Sequence, residues 1–252
     1  MQEKLQQFLV IIATVGMIIF NWLAATGNLG GTDTGAVSDK YSTHITPAGY
    51  AFAIWSLIYF GMLAFSIYQA LPSNAEKFRG VRRIYIISCV ANCFWLYVWS
   101  QESIVVCLGI ITVLLVCLAV INLKLRETET LGEYWLAKVP FGIYFGWVTA
   151  ATILNAAIAL VYLGVKTDDS TSNLLGAFLI LIAAALGAIV RWRLKNYFYP
   201  LAIAWALTAI AVKQSGQTIV VVACAVGVIV CLIAALSFVM EMPSSTNQNT
   251  ER

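Results

Sequence analysis

Charge is the property that this sequence has least of. Only 11% of its 252 residues are charged and 61% are hydrophobic, with a mean hydropathy of +0.85. Soluble domains contain about 25% charged residues. The long apolar runs contain no aspartate or glutamate at all. This composition excludes an ordinary soluble domain and indicates an integral, multi-pass membrane protein.

Groups that bind metals or carry out catalysis are also scarce. The sequence has a single histidine, His44, in a polar loop. Hydrolysis or group transfer needs a nucleophile with a base, or a metal, within hydrogen-bond reach. We therefore expect no catalytic residue, no metal site and no enzyme activity, and we expect His44 to be solvated rather than to bind haem iron.

The cysteines lack the spacing of zinc sites or of secreted disulfide-bonded domains. Within apolar runs a thiol acts as a small hydrophobic group, so we expect neither disulfides nor metal ligands among them. All six lie in such runs: Cys89, Cys93, Cys107, Cys117, Cys224 and Cys231.

What the sequence does contain is a series of about eight apolar runs. Most approach the ~20 residues that a helix needs to cross the hydrocarbon core. The predicted fold class is therefore all-α, a polytopic membrane helix bundle of about eight transmembrane helices. We expect Thr46 to cap the second helix and Pro47 to be its first residue. The predicted spans are residues 5–25, 47–71, 84–100, 104–123, 140–164, 173–190, 197–212 and 218–240.

The loop charges predict an orientation. Loops after the second, fourth and sixth spans contain ten Lys and Arg residues, and the other loops contain three. Because cytoplasmic loops are enriched in these residues, we expect both termini in the cytoplasm and the loop 26–46 outside. The polar tail, 241–252, is expected to be disordered.

The fifth span contains the stretch around which we expect the bundle to be organised. No charge occurs in Pro140–Asn155, and Tyr144, Trp147, Ala151 and Asn155 share one helical face. An indole, a phenol and an amide are costly to leave unpaired in lipid. This face is therefore expected to look into the bundle, where it either contacts a ligand or packs against other helices.

A second face of the same span consists of small residues. Gly142, Gly146 and Ala150 recur every fourth residue, which lets another membrane helix approach closely. We expect a neighbouring helix to pack against this seam.

Aromatic and amide residues recur on two further spans. Trp55 and Tyr59 share a face of the second span, and Asn92, Trp95 and Trp99 share a face of the third. If the three faces converge, they line one pocket. The candidate ligand-binding residues are Trp55, Tyr59, Asn92, Trp95, Trp99, Tyr144, Trp147 and Asn155.

These motifs resemble those of a known family, the translocator proteins or tryptophan-rich sensory (TspO/MBR) proteins. Pro47 followed by Trp55 and Tyr59 is similar to the start of that family's second helix, and Asn92-x-x-Trp95 is similar to its third. The fifth span resembles the fifth-helix signature of the family in Trp147-Val148-Thr149, Ala151-Thr152 and Leu154-Asn155.

The resemblance covers about residues 5–165 and implies both an architecture and a function. It implies a five-helix core, residues 1–165, with three additional transmembrane helices in 166–240. It also implies that the first five helices bind a tetrapyrrole (porphyrin or haem) or a sterol-like molecule, with no cofactor required. The expected partners are the lipid bilayer and a small hydrophobic ligand, with a homodimer left open and no nucleic acid.

Two alternatives remain open at this point. The first is a membrane carrier or exporter of a small apolar or amphipathic molecule, because eight spans suit transport. The ionisable residues near the midplane that couple transport to ions are absent from the predicted spans. The second is tryptophan-assisted porphyrin degradation, which has been proposed for the family that the sequence resembles.

Overall fold

The regular structure of this chain is helical. A computed structural model describes residues 2–28 and 34–237, and within these ranges it contains no β-strand. The helices are α1 (Gln2–Ala25), α2 (Thr34–Lys40), a 3-10 helix (Gly49–Ala53), α3 (Ile54–Tyr68), a 3-10 turn (Pro72–Asn74), α4 (Arg79–Ser100), α5 (Ile104–Lys124), α6 (Leu131–Glu133), a π-helical segment (Tyr134–Lys138), α7 (Val139–Tyr162), α8 (Asp169–Leu194), α9 (Tyr199–Lys213) and α10 (Thr218–Leu236).

The prediction of about eight membrane helices is confirmed. In the described residues, seven helices are long and apolar enough to cross a membrane, and α9 is shorter. The contacts of α9 nevertheless reach both ends of the bundle. Before it, Asn196 Nδ2 donates to the carbonyl of Lys138, 2.8 Å away; after it, Gln214 Nε2 donates to the carbonyls of Thr43 and Thr46, each 3.1 Å away. Helix α9 therefore crosses the bundle with the others.

Helix α7, which contains the stretch singled out in the sequence, lies at the centre. It packs against α3, α5, α8 and α9. In its candidate membrane-spanning part 61% of the residues are buried, whereas in that of α1 28% are buried. The last three helices, α8, α9 and α10, pack against one another. They contact the rest of the bundle chiefly where α9 packs against α7. The predicted boundary between a core and an addition at residue 165 stays a prediction.

The small-residue seam of α7 faces α9 and the turn before it. A Cβ at Gly146 would lie 2.3 Å from the carbonyl oxygen of Tyr199, and one at Gly142 would lie 2.2 Å from the side chain of Asn196. No larger residue fits at either position without moving the neighbouring backbone or side chain. The expected close helix neighbour is thus present.

The start of the second span differs from the prediction. Thr46 does not cap a helix: its hydroxyl oxygen accepts from the backbone N–H of Thr43 at 2.8 Å, and the 3-10 helix begins after Ala48, which makes no side-chain cap. The backbone N–H of Ala48 donates instead to the carbonyl of Ala209 on α9, 3.0 Å away. This segment is positioned by α9 rather than by a local cap. The predicted tail, 241–252, lies outside the described residues.

Arg82, which precedes the predicted span 84–100, lies in α4 and is completely buried. Its guanidinium donates to Glu3 Oε2 at 2.9 Å, to Gln69 Oε1 at 2.7 Å and to the carbonyls of Asn74 and Ala75 at 3.1 and 2.6 Å. A buried charge persists only when it is paired and its donors are satisfied. Arg82 therefore fastens the start of α1 to the connection between α3 and α4.

Candidate ligand-binding site

The aromatic residues predicted on three different spans converge around Trp55. Its ring centroid lies 5.5 Å from that of Tyr59, with the rings stacked, and 6.4 Å from that of Trp95. From α7, Tyr144 and Trp147 approach at 5.8 and 6.3 Å with steeply inclined rings. Such centroid separations are typical of favourable aromatic pairs. Helices α3, α4 and α7 thus share one aromatic cluster.

Two further predicted residues are fixed by hydrogen bonds. The indole N–H of Trp95 donates to Asn155 Oδ1 at 3.3 Å, so that an amide on α7 orients a tryptophan on α4. Trp99 stacks on Trp95 at 5.6 Å, and its indole N–H donates to the carbonyl of Thr34, 3.2 Å away. The second bond attaches α2 to the top of the cluster.

One residue of the site was not predicted from the sequence. Asn21 on α1 accepts a hydrogen bond from the hydroxyl of Tyr59 at 2.5 Å and donates to Asn92 Oδ1 at 2.8 Å. It connects three helices and is itself buried. The sequence did offer one indication of this role, an amide within an otherwise apolar span. Such a group needs a hydrogen-bond partner in lipid.

Three buried polar groups of the cluster make no hydrogen bond in the described part of the chain. They are the indole N–H of Trp147, the hydroxyl of Tyr144 and the amide nitrogen of Asn92. Tyr144 and Asn92 lie close to each other, whereas Trp147 borders a cavity. An unpaired buried donor costs roughly 1–3 kcal/mol. Trp147 therefore offers a hydrogen bond that a ligand could accept.

The cavity beside Trp147, here called the inner cavity, has a volume of about 50 Å³. The family resemblance implies a pocket among the first five membrane helices. The inner cavity differs, because α8 and α9 form part of its wall. Five predicted residues line the inner cavity: Trp55, Trp95, Trp99, Trp147 and Asn155. Six residues of α8 and α9 also line it, among them Ile180 and Leu207.

A larger space lies on the other side of Trp55, between α1 and α3 and beneath α2. This α1–α3 groove has a volume of about 760 Å³. It shares Thr34, Phe52 and Trp55 with the inner cavity, so Phe52 and Trp55 separate the two spaces. The groove is also lined by Asn21, Trp22, Asp39, Ser56 and Tyr59.

The eight predicted residues are thus distributed unequally. Trp55 borders both spaces, Tyr59 borders the groove, and four others border the inner cavity. Asn92 and Tyr144 line neither space and are fully buried. Each contacts a residue that does line a space: Asn92 accepts a hydrogen bond from Asn21, and the ring of Tyr144 packs against Trp55. A direct ligand contact by either residue stays a prediction.

Helix α2 covers both spaces and is held by ionic contacts. Lys40 Nζ lies 2.5 Å from Glu102 Oε2, which also accepts from the hydroxyl of Tyr41 at 2.7 Å; Asp39 lies 3.1 Å from Lys213 Nζ. The hydrogen bond from Lys40, followed by that from Tyr41, lowers the pKa of Glu102 below its ordinary value. The same bond raises the pKa of Lys40. The cover is therefore fastened by groups that titrate.

His44 is only partly solvated, whereas we expected a solvated side chain. Its Nδ1 lies 2.8 Å from Asn173 Oδ1, its Nε2 lies 3.4 Å from Asp169 Oδ1, and its side chain is 23% exposed. The start of α8 packs against the loop and supplies these partners. The sequence could not show this, because the partners lie far along the chain. Among the described residues no group of three or more His, Cys, Asp or Glu side chains is arranged to hold a metal.

Comparison with known proteins places the chain in a family. A family model described as TSPO-like protein matches residues 7–237. The match extends beyond residue 165 and includes the last three helices. No curated protein and no solved structure matches the chain significantly. Because the family model covers most of the sequence, the chain belongs to the TSPO-like proteins, as the fifth-span motif predicted.

Proposed function

We propose that this membrane protein binds a small hydrophobic ligand with a flat ring system, of the tetrapyrrole or sterol class, in the outer half of the bundle. The observation that carries the proposal is the buried, unpaired indole N–H of Trp147 beside an apolar cavity within an aromatic cluster. A ligand oxygen accepting from this N–H removes the cost of leaving it unpaired.

The volumes of the two spaces favour one position for such a ligand. Pockets for drug-sized ligands measure about 300–1,000 Å³, so the inner cavity of about 50 Å³ is too small by itself. The α1–α3 groove, about 760 Å³, is within the range. A ligand in the groove reaches Trp147 when Phe52 and Trp55 rotate and join the two spaces. Binding then selects this joined conformation.

The chemistry of the groove suits a ring with a polar end. Trp55 and Tyr59 provide stacking surfaces, while Asn21 and Ser56 provide hydrogen-bonding groups. The charged residue in the lining is Asp39, whose partner Lys213 lies at the rim. A sterol hydroxyl would find partners inside the groove. The described residues that line the groove include no cation, so a tetrapyrrole carboxylate would have to reach Lys213, the partner of Asp39.

The role is one of binding rather than catalysis, in keeping with the polar groups near the ligand. Those of the cluster are amides, phenols and indoles, which orient a ligand but are poor nucleophiles at neutral pH. Tryptophan-assisted porphyrin degradation is an oxidation, and none of these groups is an oxidant. We therefore propose binding alone.

A carrier is the second candidate, favoured by the position of the groove at the surface of the bundle. Trp22, in the groove wall on α1, is 62% exposed, so the groove faces the lipid region. A ligand that enters laterally and leaves through the α2 side would be carried across one leaflet. Ligand release from proteoliposomes distinguishes a carrier from a sensor that only binds.

The test is a titration of the purified protein in detergent with protoporphyrin, haem and cholesterol. Trp147→Phe keeps an aromatic ring but removes the N–H. It should weaken binding of the preferred ligand by about 0.5–1.5 kcal/mol, the net contribution of one hydrogen bond. Trp192→Phe is the matched control, because Trp192 is exposed at the other end of the bundle. No saturable binding of any of the three ligands, or equal weakening by both variants, would overturn the proposal.

A further inference from the structure

A separate cavity lies at the opposite end of the bundle from the α1–α3 groove. Its volume is about 390 Å³, and it opens between the start of α1, the start of α4 and the end of α5. It is lined by three cations and one carboxylate, together with a glutamine amide and the backbone of a glycine. The lining residues that matter here are Glu3, Gln6, Arg79, Gly80, Arg83 and Lys124.

The carboxylate in this basic cavity is already neutralised. Glu3 Oε1 lies 2.7 Å from Arg79 Nε, and Glu3 Oε2 lies 2.9 Å from the buried Arg82. Arg79 also lies 3.5 Å from Glu76. In the described part of the chain, Arg83 and Lys124 form no ion pair. Two cations thus remain available to an anion in the cavity.

The absence of a side chain at Gly80 leaves room for one of these cations, Lys124, beside the start of α4. Lys124 Nζ lies 3.4 Å from the position that a Cβ of Gly80 would occupy, so the ammonium group of α5 rests over the first turn of α4. Gln6 contributes a further polar group, since its amide oxygen is buried and makes no hydrogen bond to the described residues. The cavity therefore presents both free positive charge and an unsatisfied amide.

The surface next to the cavity is apolar and faces lipid. On α4, Ile87 and Val90 follow Arg83 on the same side and are 53% and 64% exposed; on α5, Leu123 is 59% exposed beside Lys124. A molecule with a charged head in the cavity would lay its chains on these residues. We propose that this basic cavity binds the headgroup of an anionic phospholipid such as phosphatidylglycerol. Basic pockets between helix ends recognise such headgroups.

The phosphate of the lipid lies between Arg83 and Lys124, and the glycerol hydroxyls of the headgroup donate to Gln6. A phosphodiester anion could also come from solution, but the adjoining exposed apolar residues favour a lipid. This site is separate from the proposed ligand groove, and it does not depend on that function.

The experiment measures lipids retained by the full-length protein, by native mass spectrometry after exchange from phosphatidylcholine nanodiscs with or without phosphatidylglycerol. Wild type should retain phosphatidylglycerol in preference to phosphatidylcholine. The double variant Arg83→Gln with Lys124→Gln should lower that retention about tenfold, since each cation strengthens the attraction to an anionic headgroup. The control, Arg126→Gln with Arg193→Gln, removes two exposed cations from the same end of the bundle but outside the cavity. It should retain the lipid.

A second variant separates lipid binding from folding. Gly80→Asp places a carboxylate beside Lys124 in the first turn of α4, where negative charge favours the helix. It should abolish the preference for phosphatidylglycerol without lowering the melting temperature. Equal loss in the control double variant, no preference in the wild type, or full competition by inorganic phosphate would each overturn the proposal.

Discussion

At the scale of single residues, burial in lipid makes each polar group depend on finding a partner. Two buried phenols illustrate this, since the hydroxyl of Tyr85 lies 2.8 Å from Thr14 Oγ1 whereas that of Tyr144 makes no hydrogen bond in the described residues. Tyr144→Phe should leave the melting temperature unchanged or raise it. Tyr85→Phe should cost roughly 1 kcal/mol, because a bond is lost and Thr14 loses a partner. Thermal melts in one detergent compare the two, and equal destabilisation would mean that Tyr144 has a partner.

At the scale of helices, the fit of α7 against α9 depends on the absence of side chains. Gly146→Ala places a Cβ 2.3 Å from the carbonyl oxygen of Tyr199 and should cost about 1–3 kcal/mol, as overpacked sites do. Gly109→Ala on α5 meets nothing within 4 Å and should be neutral or stabilising by up to about 1 kcal/mol. Melting temperatures of the two variants test the seam. A neutral Gly146→Ala would show that α9 does not pack there.

The short helix α2 gives a prediction about pH at the same scale. The pKa of Glu102 is lowered in the folded protein, so its contribution is complete above the ordinary value of 4.5 and is lost as pH falls through the lower folded value. The pKa of Lys40 is raised in the folded protein. Its contribution to stability is therefore complete below pH 10.5 and is lost as pH rises through the higher folded value. Acid should therefore loosen α2.

Glu102→Gln should produce the loosening at neutral pH. Hydrogen exchange of residues 34–40 should become faster in this variant, and ligand dissociation should also be faster because α2 covers both spaces. Glu129→Gln, which changes an exposed carboxylate at the other end of the bundle, is the control. Unchanged exchange in Glu102→Gln, in protein that is otherwise folded, would contradict the role of this contact.

At the scale of the whole molecule, the arrangement of loops at two ends allows a test of orientation. The positive-inside rule predicts that the loop 26–46 is outside and that both termini are cytoplasmic. A cysteine introduced as Gly35→Cys, with the six native cysteines replaced, should react with an impermeant reagent in intact cells. Labelling only after the cytoplasmic face is opened would show that the protein has the opposite orientation.

The number and order of the membrane helices could be predicted because hydropathy is a property of each segment by itself. The convergence of Trp55, Trp95 and Trp147 could be predicted from helical spacing and the family motifs. The roles of Asn21 and Arg82 could not, because their partners lie on other helices and are chosen by packing. The same reason explains why the contributions of α8 and α9 to the inner cavity were missed.

The central claim is that one ligand occupies the half of the bundle that lies beneath α2 and contacts both Trp55 and Trp147. A cryo-electron microscopy structure of the protein in lipid nanodiscs, saturated with the tightest ligand from the titration, tests it most directly. We predict ring density in the α1–α3 groove, with Phe52 and Trp55 displaced and a ligand oxygen within hydrogen-bond distance of Trp147 Nε1. Ligand density found only elsewhere, with Phe52 and Trp55 unmoved and the inner cavity still closed, would contradict the account.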